Sequence, residues 1–209
     1  MKVACLSDTH THHELVTVPE CDMVIHAGDF TYRGDFKEVK DFIDWYGNLP
    51  AKHKILVCGN HEVIISKRPR VLDLWCMEKG ITLLKNQHVV IAGYKIFGSP
   101  YSVEFGNWVY GEPEDRLKRI WDMIHDDTDI LVTHGPPWGV LDVNRDGINC
   151  GSTTLSEKLY NLNKLKLYVT GHIHESRGTT QIEQIQVVNA AMCGIPYSDM
   201  LTTATVVEI

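Results

Sequence analysis

The sequence lacks the excess of positive charge that a nonspecific nucleic-acid binder needs. Lysine and arginine number 20 against 27 aspartates and glutamates, for a formal net charge of −7. Strong nucleic-acid binding is therefore not expected, although a small anion held by metal ions is compatible with that balance. Long apolar runs are also missing. No stretch approaches the roughly 18 apolar residues of a membrane span, and the run inside MKVACLSD is far too short for a signal peptide. No N-x-S/T sequon occurs, and no C-x-x-C pair. Cys5, Cys21, Cys58, Cys76, Cys150 and Cys193 are scattered, the first three within or beside strand-like apolar runs. Free thiols in a reducing compartment are expected. Together these absences predict a soluble cytoplasmic protein with no membrane partner.

What is present is an ordinary globular composition, 44% hydrophobic and 22% charged, over 209 residues. That length fits one domain spanning 1–209 with a substantial core. Short apolar strands alternate with longer amphipathic segments. KVACL (2–6), DMVIH (22–26) and KILVC (54–58) read as buried strands, each running into a polar or glycine-bearing loop. Phe36, Val39, Phe42, Ile43 and Tyr46 recur at helical spacing before Gly47 and Pro50 stop the helix. ITLL, HVVIA and YKIFG read as a meander, with Ala92-Gly93 as a tight hairpin turn. EPEDRLKRIWDMI and SEKLYNLNKL predict helices, and DILVT and KLYVT predict strands. The tail, from TTQIE through IQVVNAA to TTATVVEI, predicts β-structure. The fold class is α/β.

Five of the predicted strands end on residues able to bind metal. CLSDTH supplies Asp8 and His10, VIHAGD supplies Asp29, and LVCGNHE supplies Asn60, His61 and Glu62. ILVTHG supplies His134, and LYVTGHIH supplies His172 and His174. Ligands in α/β sheets bind beyond the carboxyl ends of strands, so these loops can converge on one edge. In an extended segment residues i and i+2 point the same way, which lets His172 and His174 reach into one small volume. Each short motif alone is an ordinary loop. The ordered set carries the signal.

That set, D-x-H, G-D, G-N-H-E, T-H-G and G-H-x-H from residue 8 to 174, resembles the calcineurin-like metallophosphoesterases. GDFTYRGD (28–35), HGPPWGVLD (134–142) and VVNAA (187–191) look like the MPPED-type branch of that superfamily. The resemblance implies a four-layer αββα sandwich, two mixed β-sheets flanked by helices, with a dinuclear metal site at the C-terminal edge of the strands. Asp8, His10 and His174 would hold one ion, Asn60, His134 and His172 the other, and Asp29 would bridge them. It further implies hydrolysis of phosphodiesters, cyclic nucleotides being the favoured case, by direct attack of a hydroxide held between the metals. His61 would stand beside the metals and protonate the leaving oxygen, an effect typically worth about 10²–10⁴-fold.

The donors agree with that implication. All seven offer oxygen or nitrogen and none is a thiolate, which suits Mn²⁺ first, with Fe, Zn²⁺, Co²⁺ or Ni²⁺ as alternatives. Two divalent ions outweigh the carboxylates of Asp8 and Asp29, so the pocket attracts phosphate although the chain is acidic. Glu62 is read either as a carboxylate orienting a neighbour or as a solvated loop residue. Arg33, His12 and His13 are candidates for substrate contacts. His26 reads as a satisfied core residue, and His53, His88 and His125 as surface. Tyr101, Trp108 and Trp138 lie in irregular segments, where they either stack on a nucleobase or pack. Two other functions compete: a metal-dependent nuclease, opposed by the acidic charge, and a noncatalytic scaffold binding a protein partner. Some MPPED-type members carry glycine at the position of His172. Here the histidine is present, which opposes the scaffold reading.

Overall fold

A computed structural model describes residues 1–194, 197 and 199–209. The chain begins with β1 (Lys2–Leu6), β2 (Met23–His26), α1 (Phe36–Gly47), β3 (His53–Val57), α2 (Pro69–Glu78) and β4 (Ile81–Leu84). A hairpin of β5 (Gln87–Ile91) and β6 (Tyr94–Ser99) follows, then the short pair β7 (Ser102–Val103) and β8 (Gly111–Glu112), and α3 (Glu114–Trp121). Next come β9 (Ile130–Thr133), α4 (Thr153–Leu159) and β10 (Leu167–Thr170). The last strands are β11 (Gly178–Ile182), β12 (Ile185–Asn189) and β13 (Thr205–Glu208).

Two mixed sheets form the centre. One runs β13-β1-β2-β3-β4 and the other β11-β12-β10-β9-β6-β5. Within the first, β1 to β4 are parallel and β13 closes the edge antiparallel. Within the second, β6, β9, β10 and β12 are parallel, with β5 and β11 antiparallel at the edges. Side chains alternate between the faces of each strand, which sorts the core into three layers. Val3, Cys5, Ile25, Ile55 and Val57 meet Ile96, Ile130, Val132 and Val169 between the sheets. On the outer face of the first sheet, Ala4, Leu6 and Val24 pack under Phe42, Tyr46 and Leu72 of α1 and α2. On the outer face of the second, Phe97, Leu131 and Tyr168 pack under Leu117, Trp121 and Leu155 of α3 and α4. The architecture is αββα, as the motif set implies.

Local chemistry accounts for the helices. Asp35 caps α1 by accepting the N–H groups of Lys37 and Glu38, and Val39, Phe42, Ile43 and Tyr46 are buried. Phe36, expected on that buried face, is 48% exposed in the first turn, where its ring meets Trp75 edge-on. Ser152 caps α4, which starts at Thr153, earlier than its apolar pattern indicates. Ala92 and Gly93 both have positive φ, as a two-residue hairpin turn requires. The meander differs from expectation. β4 pairs parallel with β3 in the first sheet, so the chain changes sheets between Leu84 and Gln87 before the β5–β6 hairpin begins. No helix among the described residues is long and apolar enough to cross a membrane. All six cysteines are free, four of them buried.

Candidate active site

The parallel strands β1, β2 and β3 end beside β9 and β10, and the five loops that follow them meet at one edge. Backbone hydrogen bonds tie these loops together. Asp8 N–H donates to Gly28 O at 2.8 Å, His10 N–H to Asp29 O at 3.1 Å, and Gly171 N–H to His134 O at 3.1 Å. Asp8, His10, Asp29 and His172 all have positive φ, a conformation L-residues rarely adopt and one that concentrates at functional sites. Close approach dictates two glycines. A Cβ on Gly171 would collide with Ser7 Oγ and Asp8 Oδ2, and a Cβ on Gly59 would collide with Asp29 Oδ1.

Eight side chains point into the resulting pocket. Asp8, His10 and His174 form one group whose donor atoms lie within 4.8 Å of one another, and Asp29, His134 and His172 form another. His10, Asp29 and His61 form a third within the same distance. His174 Nε2 lies 3.1 Å from Asp8 Oδ1 and 3.3 Å from His10 Nε2. His134 Nε2 lies 2.9 Å from Asn60 Oδ1 and 3.3 Å from Asp29 Oδ2. The second oxygens of the carboxylates are used to fix the loops: Asp8 Oδ2 accepts from His172 N–H at 3.0 Å, and Asp29 Oδ1 accepts from His61 N–H at 2.8 Å.

Carbonyl partners set the tautomers. His10 Nδ1 faces Thr31 O at 3.2 Å and His134 Nδ1 faces Ala27 O at 2.9 Å, so in both rings Nδ1 carries a proton. Each Nε2 is then directed at other acceptors. Lone pairs converging at such separations repel unless protons or cations stand between them. In the polypeptide alone, protons fill part of that need. Burial would raise Asp8, but His174, His134 and His10 hold it well below the usual carboxylate range. Asp29 is likewise held down against burial by His134, His61 and His10. Burial lowers His134, but Asp29 and then Asp8 outweigh it and raise the ring to about 9. Burial keeps His10 at about 4, and burial with His134 keeps His172 at about 4. An all-O/N set of buried, convergent acceptors with tautomers fixed by carbonyls fits divalent cations.

Glu62 is more than a loop residue. Its carboxylate is fully buried and accepts four hydrogen bonds, from Gly59 N–H at 2.6 Å, Asp29 N–H at 3.1 Å, Thr31 N–H at 3.1 Å and Thr31 Oγ–H at 2.8 Å. It staples the Asp29 loop to the Asn60 loop. Asn189 does similar work for the last motif, donating from Nδ2 to Ile173 O at 2.8 Å between His172 and His174. His26 is a core residue, as expected: it is buried, Nδ1 accepts from Gly28 N–H at 3.3 Å, and Nε2 pairs with Thr9 Oγ1 at 3.1 Å.

The candidate substrate contacts fare differently. Arg33 is exposed, and it is the backbone N–H that is held, by Glu38 at 3.0 Å. His13 is buried against Phe42 and Trp45 of α1, at 5.4 and 5.1 Å between ring centroids, so packing accounts for it. His12 is half-buried and reaches Tyr32 at 6.0 Å, one aromatic ring removed from His10. His88, expected on the surface, is half-buried and stacks on His125 at 4.2 Å. Sequence reasoning missed Tyr32 and Tyr197, whose rings lie 5.8 and 4.6 Å from that of His10. Tyr32 lies within GDFTYRGD, yet nothing in that stretch singles it out, and no motif marks Tyr197; the fold brings both to the pocket.

Residues 1–176 match the calcineurin-like phosphoesterase family, and the chain belongs to it. It is 33% identical to human metallophosphoesterase domain-containing protein 1 over 219 aligned residues, covering 94% of this chain and 67% of that protein. Among solved structures, a Thermus thermophilus protein superposes with a TM-score of 0.65 at 16% identity, covering 90% of this chain and 88% of its own. An archaeal phosphodiesterase superposes with a TM-score of 0.51 at 20% identity, over 92% and 85% of the two chains. The family is one of metal-dependent hydrolases, and side chains able to hold metal ions cluster at the loop edge.

Proposed function

We propose that this phosphoesterase is a dinuclear-metal phosphodiesterase acting on small esters, with nucleotides, cyclic ones included, as the favoured substrates. The observation that carries the reading is the convergence of Asp8, Asp29, Asn60 and four histidines beside a fifth histidine, His61, that keeps a free nitrogen. Asp8, His10 and His174 would hold one ion, Asn60, His134 and His172 the other, and Asp29 both. Mn²⁺ is the proposed ion, and the same donors suit Fe, Zn²⁺, Co²⁺ or Ni²⁺. Such ions supply Lewis acidity toward phosphoryl oxygens and a nucleophile at neutral pH.

The chain's own residues do the rest. The protonated Nδ1 of His61 donates to Tyr32 O at 2.8 Å, which turns Nε2 toward the pocket, 4.0 Å from Asp29 Oδ2. As the imidazolium, with Nε2 protonated as well, the ring would hand that second proton to the departing ester oxygen and revert to the neutral Nδ1–H form. A groove of about 630 Å³ lined by Val103, Phe105, Arg145, Cys150 and Ile173 opens beside His172. Small-molecule sites typically span about 300–1,000 Å³, so an organic substituent fits there while the phosphate sits at the centre. The fold shared with an archaeal phosphodiesterase supports the same reading. The free thiols support a cytoplasmic location.

Comparing kcat/KM for bis-p-nitrophenyl phosphate, p-nitrophenyl phosphate, 2′,3′- and 3′,5′-cyclic nucleotides and single-stranded oligonucleotides tests the proposal. Preference for the small diesters is expected. A clear monoester preference would move the assignment to a phosphatase, and preference for oligonucleotides to a nuclease.

A further inference from the structure

The loop between β7 and β8 lays Trp108 over the face of His61. The ring centroids are 4.5 Å apart and the planes lie within 23° of parallel. Trp108 stays 37% exposed, whereas Val103 and Tyr110 on the same connection pack against the hydrophobic core. Its aromatic partner is the imidazole.

His61 needs such a partner. Its side chain has one hydrogen bond, from Nδ1–H to Tyr32 O, and its backbone is pinned by Asp29 Oδ1. One side-chain bond, tolerant in length and angle, still lets χ1 and χ2 shift together, which tilts the ring and displaces Nε2 in the pocket. The edge of His10, 4.5 Å away and tilted by 73°, bounds one side. The indole plane bounds the face.

We propose that Trp108 is a positioning residue: it fixes the plane of His61 so that Nε2 meets the departing ester oxygen. The inference rests on His61 acting as proton donor. It makes the β7–β8 loop part of the reaction apparatus through a contact with His61, with no substrate contact required. A misaligned general acid forfeits part of its typical 10²–10⁴-fold effect. The need for that acid grows with the basicity of the leaving oxygen.

The test uses Trp108→Ala and Trp108→Phe in metal-loaded protein, with melting temperature and metal content compared with the parent. Trp108→Ala should lower kcat about tenfold on a nucleoside cyclic phosphate, whose alkoxide needs the proton, with little effect on a nitrophenyl diester. KM should change little, and Trp108→Phe should restore most of the rate. Independently, the His61 ring signals in the NMR spectrum of Mg²⁺- or Zn²⁺-loaded protein should lose an upfield ring-current shift in Trp108→Ala. Equal losses on both substrates, or a rise in KM alone, would overturn the proposal and make the indole a substrate contact. Unchanged His61 signals would overturn it by showing no stack in solution. His61→Ala, run in parallel, separates the two levels. If it shows no leaving-group dependence, the proton-donor reading fails first, and the positioning role falls with it even where the NMR stack stands.

Discussion

The Glu62 carboxylate accepts the backbone N–H of Asp29 at 3.1 Å, so the residue proposed to serve both metals is held from behind by a second buried acid. Burial and then Asp29 raise Glu62, while the four donors from Gly59, Asp29 and Thr31 favour its ionised form, the one whose two oxygens can accept all four. Every partner of Glu62 is a donor. Glu62→Gln would aim an NH₂ group at two of them and leave buried donors unsatisfied, at a cost of about 1–3 kcal/mol. The variant should unfold at lower urea and bind metal more weakly, read by denaturation and metal analysis. Unchanged values in both would show that the staple is dispensable.

Removing metal should act on stability as well as rate. A ligand that binds only the folded state stabilises it by about 2.7 kcal/mol at a hundred times its Kd. Chelator-stripped protein should therefore be inactive and melt at lower temperature, with Mn²⁺ restoring both. Asp29→Asn should lose most of the metal-induced rise in melting temperature, because Asp29 faces His10, His61, His134 and His172. Full turnover by verified metal-free protein would refute the mechanism, and normal metal stoichiometry in Asp29→Asn would refute the bridging role.

The donors were legible in the sequence because each sits within a few residues of a strand end, where the hydrophobic run stops and a short motif begins. Strands and helices were legible from apolar runs and helical spacing, whereas their stacking into four layers was implied only by the family resemblance of the motif set. Among the helices, α2 was not legible. Val71, Leu72, Leu74, Trp75, Cys76 and Met77 are apolar on nearly every side, yet only Leu72 and Cys76 are buried and Met77 is 70% exposed, so no clean stripe marks a helix. Nothing local told β4 which sheet to join, since ITLL and HVVIA have similar character and only tertiary pairing separates them. Glu62 could be read two ways because burial decides its role, and burial there depends on a loop more than thirty residues away in the chain. Trp108 read as a base-stacking or packing residue. Its partner is a histidine on another loop.

His26 predicts a pH dependence unrelated to catalysis. Burial keeps its ring neutral down to about 3. Gly28 N–H occupies Nδ1, so Nε2 carries the proton and donates to Thr9 Oγ1. Unfolded, the same ring titrates near 6.5. Below that pH the unfolded chain binds a proton that the folded chain refuses. Stability present above about pH 6.5 is therefore lost as pH falls toward 3, by up to about 1.4 kcal/mol per pH unit from this group. His26→Gln removes the effect, so its stability deficit should shrink between pH 7 and 4.5 in urea titrations. A deficit independent of pH would contradict a neutral buried ring.

His61 can be separated from the metal ligands by its leaving-group dependence. His10, Asp29 and His61 also converge, so a ligand role for His61 is a definite alternative to proton donation. Nitrophenolate departs readily without help, whereas a ribose alkoxide does not. If His61 donates the proton, His61→Ala should keep its full metal content and lose about 10²–10⁴-fold on a nucleoside cyclic phosphate, with a much smaller loss on a nitrophenyl diester. Equal losses would assign His61 to stabilising charge on the phosphoryl oxygens. Loss of an ion would make it a ligand, held by Tyr32 O in the way that Thr31 O holds His10. No loss on either substrate would reduce it to a loop histidine bonded to the backbone.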